Sequence, residues 1–175
     1  MRARQLRDAI LTAGSRLDLL LGRLCALLIA VMVAIVWFGV VSRYILELGI
    51  TWTEELARYV MIWAALLAVP VGVYRRAHIG VELLFRALPE DLRRGLALLL
   101  DLLGLAFFLF LFVYGIGMAR SGAQQYATIF GMTMLVPFAS VPVSALLAAL
   151  QTVVVILRDR DLESRAATGG MGQLP

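Results

Sequence analysis

The chain has little of what soluble chemistry draws on. Among 175 residues there is one cysteine, Cys25, one histidine, His78, and no lysine, and only 16% are charged. One cysteine excludes an internal disulfide framework and any multi-cysteine metal site. Lone His78 makes neither a triad nor a metal site. No nucleophile and base pair, glycine-rich phosphate loop or metal-ligand spacing is present, so the residues point to no catalytic, cofactor or metal site. What is abundant is apolar surface: 62% of the residues are hydrophobic, against roughly 45–50% in soluble domains. Such a chain is not a disordered tail, and a soluble fold of one domain could not hide that much apolar area. The class is an all-α integral membrane protein. The basic residues are all arginine and the net charge is +4. Scattered between apolar runs, they read as a topology signal rather than a nucleic-acid surface.

A spanning helix needs about 20 predominantly apolar residues. Uncharged or nearly uncharged runs place four spans at about 24–42, 56–74, 95–119 and 133–157. The first is no cleavable signal peptide, because Asp18 and Arg23 precede a full-length run with no short apolar region and small-residue cleavage site. A polar loop is expected at 121–128, and residues 159–175 read as a short mobile tail after a single four-helix domain, 1–158. Arginine counts alternate: five in the N-terminal segment, two in the first loop, five in the second, one in the third and three in the tail. The positive-inside rule then puts both termini in the cytoplasm.

Helices in lipid associate through small residues and hydrogen bonds. Candidate stripes are Gly22, Ala26, Ala30 and Ala34; Ala64, Ala68 and Gly72; and Ser140, Ser144, Ala148 and Thr152. The third span carries Phe107, Phe108, Phe110, Phe112 and Tyr114 around much of its circumference, which suits lipid or a large partner surface. Pro137 and Pro142 leave carbonyls in the fourth span that neighbouring helices must satisfy.

Ionisable side chains inside a bilayer are costly and therefore informative. Asp101 is the acid inside the third span, two turns from Arg94 and off-centre. It reads as an ion pair with an arginine at the cytoplasmic helix ends, or as a proton or cation ligand. The densest group lies at the outer mouth of the second span: Trp52, Glu54, Glu55, Arg58 and Tyr59. Thr51 and Glu54 fit a capping box, Glu54 and Arg58 fit a helical ion pair, and Trp52 and Tyr59 fit the interfacial belt. Glu55 is left over, and a surplus acid implies a docking or interhelical contact. At the far end Arg75 and Arg76 face the anionic leaflet, His78 stands four before Glu82, and residues 79–88 fit a short interfacial helix. Pro89 with Glu90 and Asp91 suits the first turn of the next helix.

These two groups resemble the small membrane subunit of tripartite ATP-independent periplasmic (TRAP) transporters, the DctQ family. Trp52, Glu54, Glu55, Leu56, Ala57, Arg58, Tyr59 and Trp63 match its first motif; Arg75, Arg76, His78, Ile79 and Val81 match its second. Ala68, Gly80 and Glu82 depart from it. The resemblance covers roughly residues 15–158. It implies a bacterial inner-membrane subunit of a sodium-driven symporter for organic acids or similar solutes, supporting a large permease that holds the sodium and substrate sites and receives solute from a periplasmic binding protein. It implies no cofactor in this chain, and its partners would be those two proteins and membrane lipid, not nucleic acid. A self-sufficient four-helix proton-coupled exporter acting as a dimer is the competing expectation, and it would need Asp101.

Overall fold

The computed structural model describes residues 2–77 and 89–169 as four helices: α1 (Arg2–Tyr44), α2 (Trp52–Tyr74), α3 (Glu90–Gly122) and α4 (Leu135–Gly169). Each contains a stretch long and apolar enough to cross a membrane. Among the described residues there is no strand beyond one isolated bridge, Tyr126 to Thr133. The helices outrun the apolar windows. In lipid the backbone has no water to bond, so each apolar window is helical throughout, and the helices continue past it into polar residues. Residues 159–169, expected in a tail, are helical, and α3 runs through Ser121 and Gly122 so that the loop begins at Ala123. The interfacial helix expected at 79–88, and His78 with it, lie outside the described residues.

Helix α4 is central. It packs against α1, α2 and α3, whereas α3 packs chiefly on α4. More than half of the apolar window of α4 is buried and none of that of α3, so Leu103, Phe107, Phe110 and Val113 face outward. The stripe Ser140, Ser144, Ala148 and Thr152 is buried as its spacing suggests, with Ala145, Ala149 and Gln151 beside it. On the other helices the small stripes hold only in part: Ala64 is buried and Gly22 and Gly72 are half-buried, but Ala26, Ala30, Ala34 and Ala68 are exposed. The inward side of α1 is instead Asp18, Leu21, Cys25, Leu28, Met32, Ile35, Gly39 and Ser42, all half-buried or buried. Their alternating steps of three and four residues are the seam of a left-handed helix pair. Leu21 and Cys25 meet Leu67 of α2, with Trp63 packed against the cluster.

Glycines mark the closest approaches. A Cβ on Gly14 would lie 2.4 Å from Cγ1 of Val154 in α4, and one on Gly39 would lie 2.8 Å from Oγ1 of Thr53 in α2. At Gly115 the ring and backbone of Pro142 come within 3.1 Å of the same position, so the proline of α4 is seated on α3 at its flattest point. Ser140 donates its hydroxyl to the carbonyl of Pro137, one turn earlier.

The α3–α4 connection is tightly folded. Met134 N–H donates to Gln125 O at 2.8 Å and Ala127 N–H to Met132 O at 2.8 Å. Gly131 takes φ +61°, a conformation glycine adopts without steric cost.

Candidate functional site

The polar side chains gather at the two ends of the bundle. Along α2, Glu54 and Arg75 are separated by about 32 Å at 1.5 Å rise per residue, close to a hydrocarbon thickness of roughly 30 Å. Asp101 and Arg120 in α3 are about 29 Å apart by the same measure. Asp101 therefore sits level with one charged end and not at mid-bilayer.

At the Glu55 end, α2 starts without the capping box. Thr51 is in a helical conformation and makes no side-chain cap bond. Glu54 bonds Arg43, in the last turn of α1, at 2.9 Å. That partner lies eleven residues back, and it takes Glu54 from the expected Arg58 pair. Arg58 is exposed and makes no hydrogen bond or ion pair among the described residues. Glu55 is the organising group. Its carboxylate accepts the Tyr59 hydroxyl at 2.5 Å and the Ile129 N–H at 3.0 Å, so it ties the α3–α4 loop to α2. Tyr59 also reaches the sulfur of Met134 at 3.5 Å. The Trp52 ring lies between Phe38 of α1, 5.9 Å away, and Phe130 of the loop, at 6.3 Å.

At the opposite end, the two arginines expected to face lipid turn to acids of the other three helices. Arg75 makes three bonds of 3.2 Å to Asp18 of α1, which is 7% exposed. Arg76 bonds Asp101 of α3 at 3.3 and 2.7 Å and Asp159 of α4 at 2.5 Å. Burial disfavours the Arg76 charge, but hydrogen bonds and charges from Asp101 and Asp159 outweigh it and hold the guanidinium above its usual pKa. The local backbone explains how one residue reaches two helices. Arg76 N–H donates to Val73 O and Ala77 N–H to Gly72 O, a Schellman ending with Arg76 at the left-handed position, φ +49°. Arg158 covers the Tyr74 ring at 5.0 Å.

The structure thus brings Trp52, Glu55 and Tyr59 together, places Trp63 in the helix interface, and joins Asp101 to Arg76. Asp18, Arg43, Asp159 and Gln151 were not singled out in the sequence. Gln151 is fully buried and donates Nε2–H to Gly14 O at 3.2 Å. A polar residue at a small-residue stripe, as Gln151 is beside Ala148 and Thr152, is the signal that could have found it. Among the described residues, no three histidine, cysteine, aspartate or glutamate side chains could share a metal ion.

Four apolar helices whose charges bind helix to helix define a multi-pass membrane protein. The chain belongs to the family described as "Tripartite ATP-independent periplasmic transporters, DctQ component", whose model matches residues 17–161. It is thus a small permease component of a TRAP transporter and a multi-pass protein of the inner membrane. A TRAP transporter small permease protein of Haemophilus influenzae is 38% identical over 66 residues, 38% of this chain and 41% of that protein. The C4-dicarboxylate TRAP transporter small permease protein DctQ of Vibrio cholerae is 31% identical over 90 residues, 51% of this chain and 39% of that protein. The isethionate TRAP transporter permease protein DctMQ of Oleidesulfovibrio alaskensis is 42% identical over 71 residues, 35% of this chain and 11% of that protein. The matched stretches span less than half the length of these relatives.

Proposed function

We propose that this chain is the rigid supporting subunit of a sodium-driven, binding-protein-dependent transporter for organic acids or similar solutes. It lies with both termini in the cytoplasm, and the Glu55 end faces the periplasm. The observation that carries this reading is the use made of the in-bundle charges. Asp18, Arg75, Arg76, Asp101 and Asp159 are engaged with one another across four helices, so the acid an exporter would need is tied to a guanidinium at one end of the bundle. Substrate and sodium sites then belong to the large permease, and solute arrives from a periplasmic binding protein. The name DctMQ and the small share of that relative matched here support a large permease as partner.

The test is reconstitution. Proteoliposomes holding this chain with the large permease, supplied with the binding protein, should take up solute under a sodium gradient, and this chain alone should not. Transport by this chain alone that Asp101→Asn abolishes would establish the exporter and overturn the supporting role.

A further inference from the structure

Helix α2 carries three charged side chains before its end, Glu54, Glu55 and Arg58, and two of them have partners in this chain. Arg58 has none among the described residues, although it lies about 9 Å along the helix from Trp52 and Trp52 itself packs between rings of α1 and the α3–α4 loop. A guanidinium between one and two turns inside a span must snorkel to the headgroups or meet an anion.

The side chains in line with it define the surface. Arg58, Met61, Ala65, Ala68 and Gly72 follow one another by three and four residues, so they share one face. The first four are exposed, and nothing lies within 4 Å of the position a Cβ on Gly72 would occupy. This is the spacing by which α1 meets its own neighbours, repeated on the side of α2 that meets no described helix. α1 carries a comparable exposed run, Ala26, Ala30 and Ala34 after Arg23, but Arg23 lies at the end proposed to face the cytoplasm, where anionic lipid neutralises it, whereas Arg58 lies at the opposite end. Below Arg58 and the pliable Met61, the α2 face is low enough for another backbone to approach.

We propose that this α2 face seats a transmembrane helix of the large permease, and that the helix brings a carboxylate to Arg58. The inference rests on the large permease being the partner, and it assigns where that partner binds. Charge complementarity favours a carboxylate-bearing helix here: Arg43, the neighbouring arginine at this end, is already neutralised by Glu54. A lipid phosphate would neutralise Arg58 equally well, but lipid has no use for a low helical face beneath it.

The experiment is co-purification of the two co-expressed subunits, with each variant first shown to be helical and monodisperse alone. Arg58→Glu and Ala68→Leu should each lower the recovered complex by roughly tenfold, equivalent to about 1.4 kcal/mol. Arg58→Lys should retain most of it, and Ala30→Leu, on the exposed face of α1, all of it. Reversing one acid of the large permease to arginine should restore binding of Arg58→Glu. Complex unchanged by both Arg58→Glu and Ala68→Leu, with the wild type assembling normally, would overturn the α2 site while leaving the supporting role intact. A wild type that never co-purifies would overturn both. Loss on Arg58→Glu in phosphatidylglycerol nanodiscs but not in phosphatidylcholine nanodiscs would replace the helix with a lipid headgroup.

Discussion

The Arg76 guanidinium holds Asp101 of α3 through Nη1 and Nη2 while the same Nη2 reaches Asp159 of α4, and it does so from a left-handed backbone position. A non-glycine residue pays about 1 kcal/mol there, so the conformation persists because the two acids hold the side chain. Arg76→Ala removes both ties and keeps the strain. It should lower unfolding stability in detergent by about 1–2 kcal/mol, less than for a fully buried pair because the side chain is 35% exposed. Arg76→Gly loses the same ties but relieves the backbone, and should be about 1 kcal/mol more stable than Arg76→Ala. Equal stability of the two would show that the turn is unstrained.

Glu55 gives a prediction that a helix cap does not. Its carboxylate receives the Ile129 N–H across 74 residues of sequence, so the α3–α4 loop depends on it. Glu55→Ala should raise amide exchange at Ile129 several-fold, and Glu55→Gln, which keeps an acceptor oxygen, should raise it less. Glu54→Ala should leave that amide unchanged, because Glu54 pairs with Arg43 in an exposed bridge of the kind that contributes little. Exchange that rises equally in the Glu54 and Glu55 variants would assign the effect to the helix start.

The four spans were legible because length and apolarity suffice to define a crossing. The inward faces were not. Lipid and helix partners are equally apolar, so hydrophobic periodicity carries no sign of which side of α1 is inside. The small residues that do carry it are ambiguous in an alanine-rich chain: Ala30 is exposed while Ala148 is buried. Glu55 stood out as an unexplained acid, but its partner is a backbone amide that no residue type announces. Asp101 was readable as an ion pair with an arginine; that the arginine is Arg76 required the turn after Tyr74. The pairing of Glu54 with Arg43 instead of Arg58 was hidden because helical spacing rules see only neighbours on the same helix.

Glycine contacts separate close approaches from chance glycines. At Gly122 an added Cβ would meet Met134 O at 2.9 Å and Phe138 Cδ2 at 2.5 Å, and at Gly14 it would meet a stiff valine, whereas Gly104 and Gly117 have open space. Gly14→Ala and Gly122→Ala should each cost about 1–3 kcal/mol by overpacking. Gly104→Ala should be neutral or stabilising by up to about 1 kcal/mol, since it adds helix propensity without a clash. Thermal unfolding of the three variants in one detergent checks the order, and a destabilised Gly104→Ala would place a neighbour against that face of α3.

Gln151 separates packing from hydrogen bonding in the buried seam between α1 and α4. Its Nε2–H bonds Gly14 O, while Oε1 is buried without a partner. The amide therefore gains one bond and leaves one acceptor unsatisfied, and these opposing effects are each about 1–3 kcal/mol. Gln151→Met, which keeps the volume and removes both polar atoms, should change stability by less than about 1 kcal/mol. Gln151→Ala should cost about 2–5 kcal/mol, because it opens a cavity where α4 is most enclosed. If Gln151→Met were as damaging as Gln151→Ala, the bond to Gly14 would outweigh the packing, and α1 would be held to α4 chiefly by that amide.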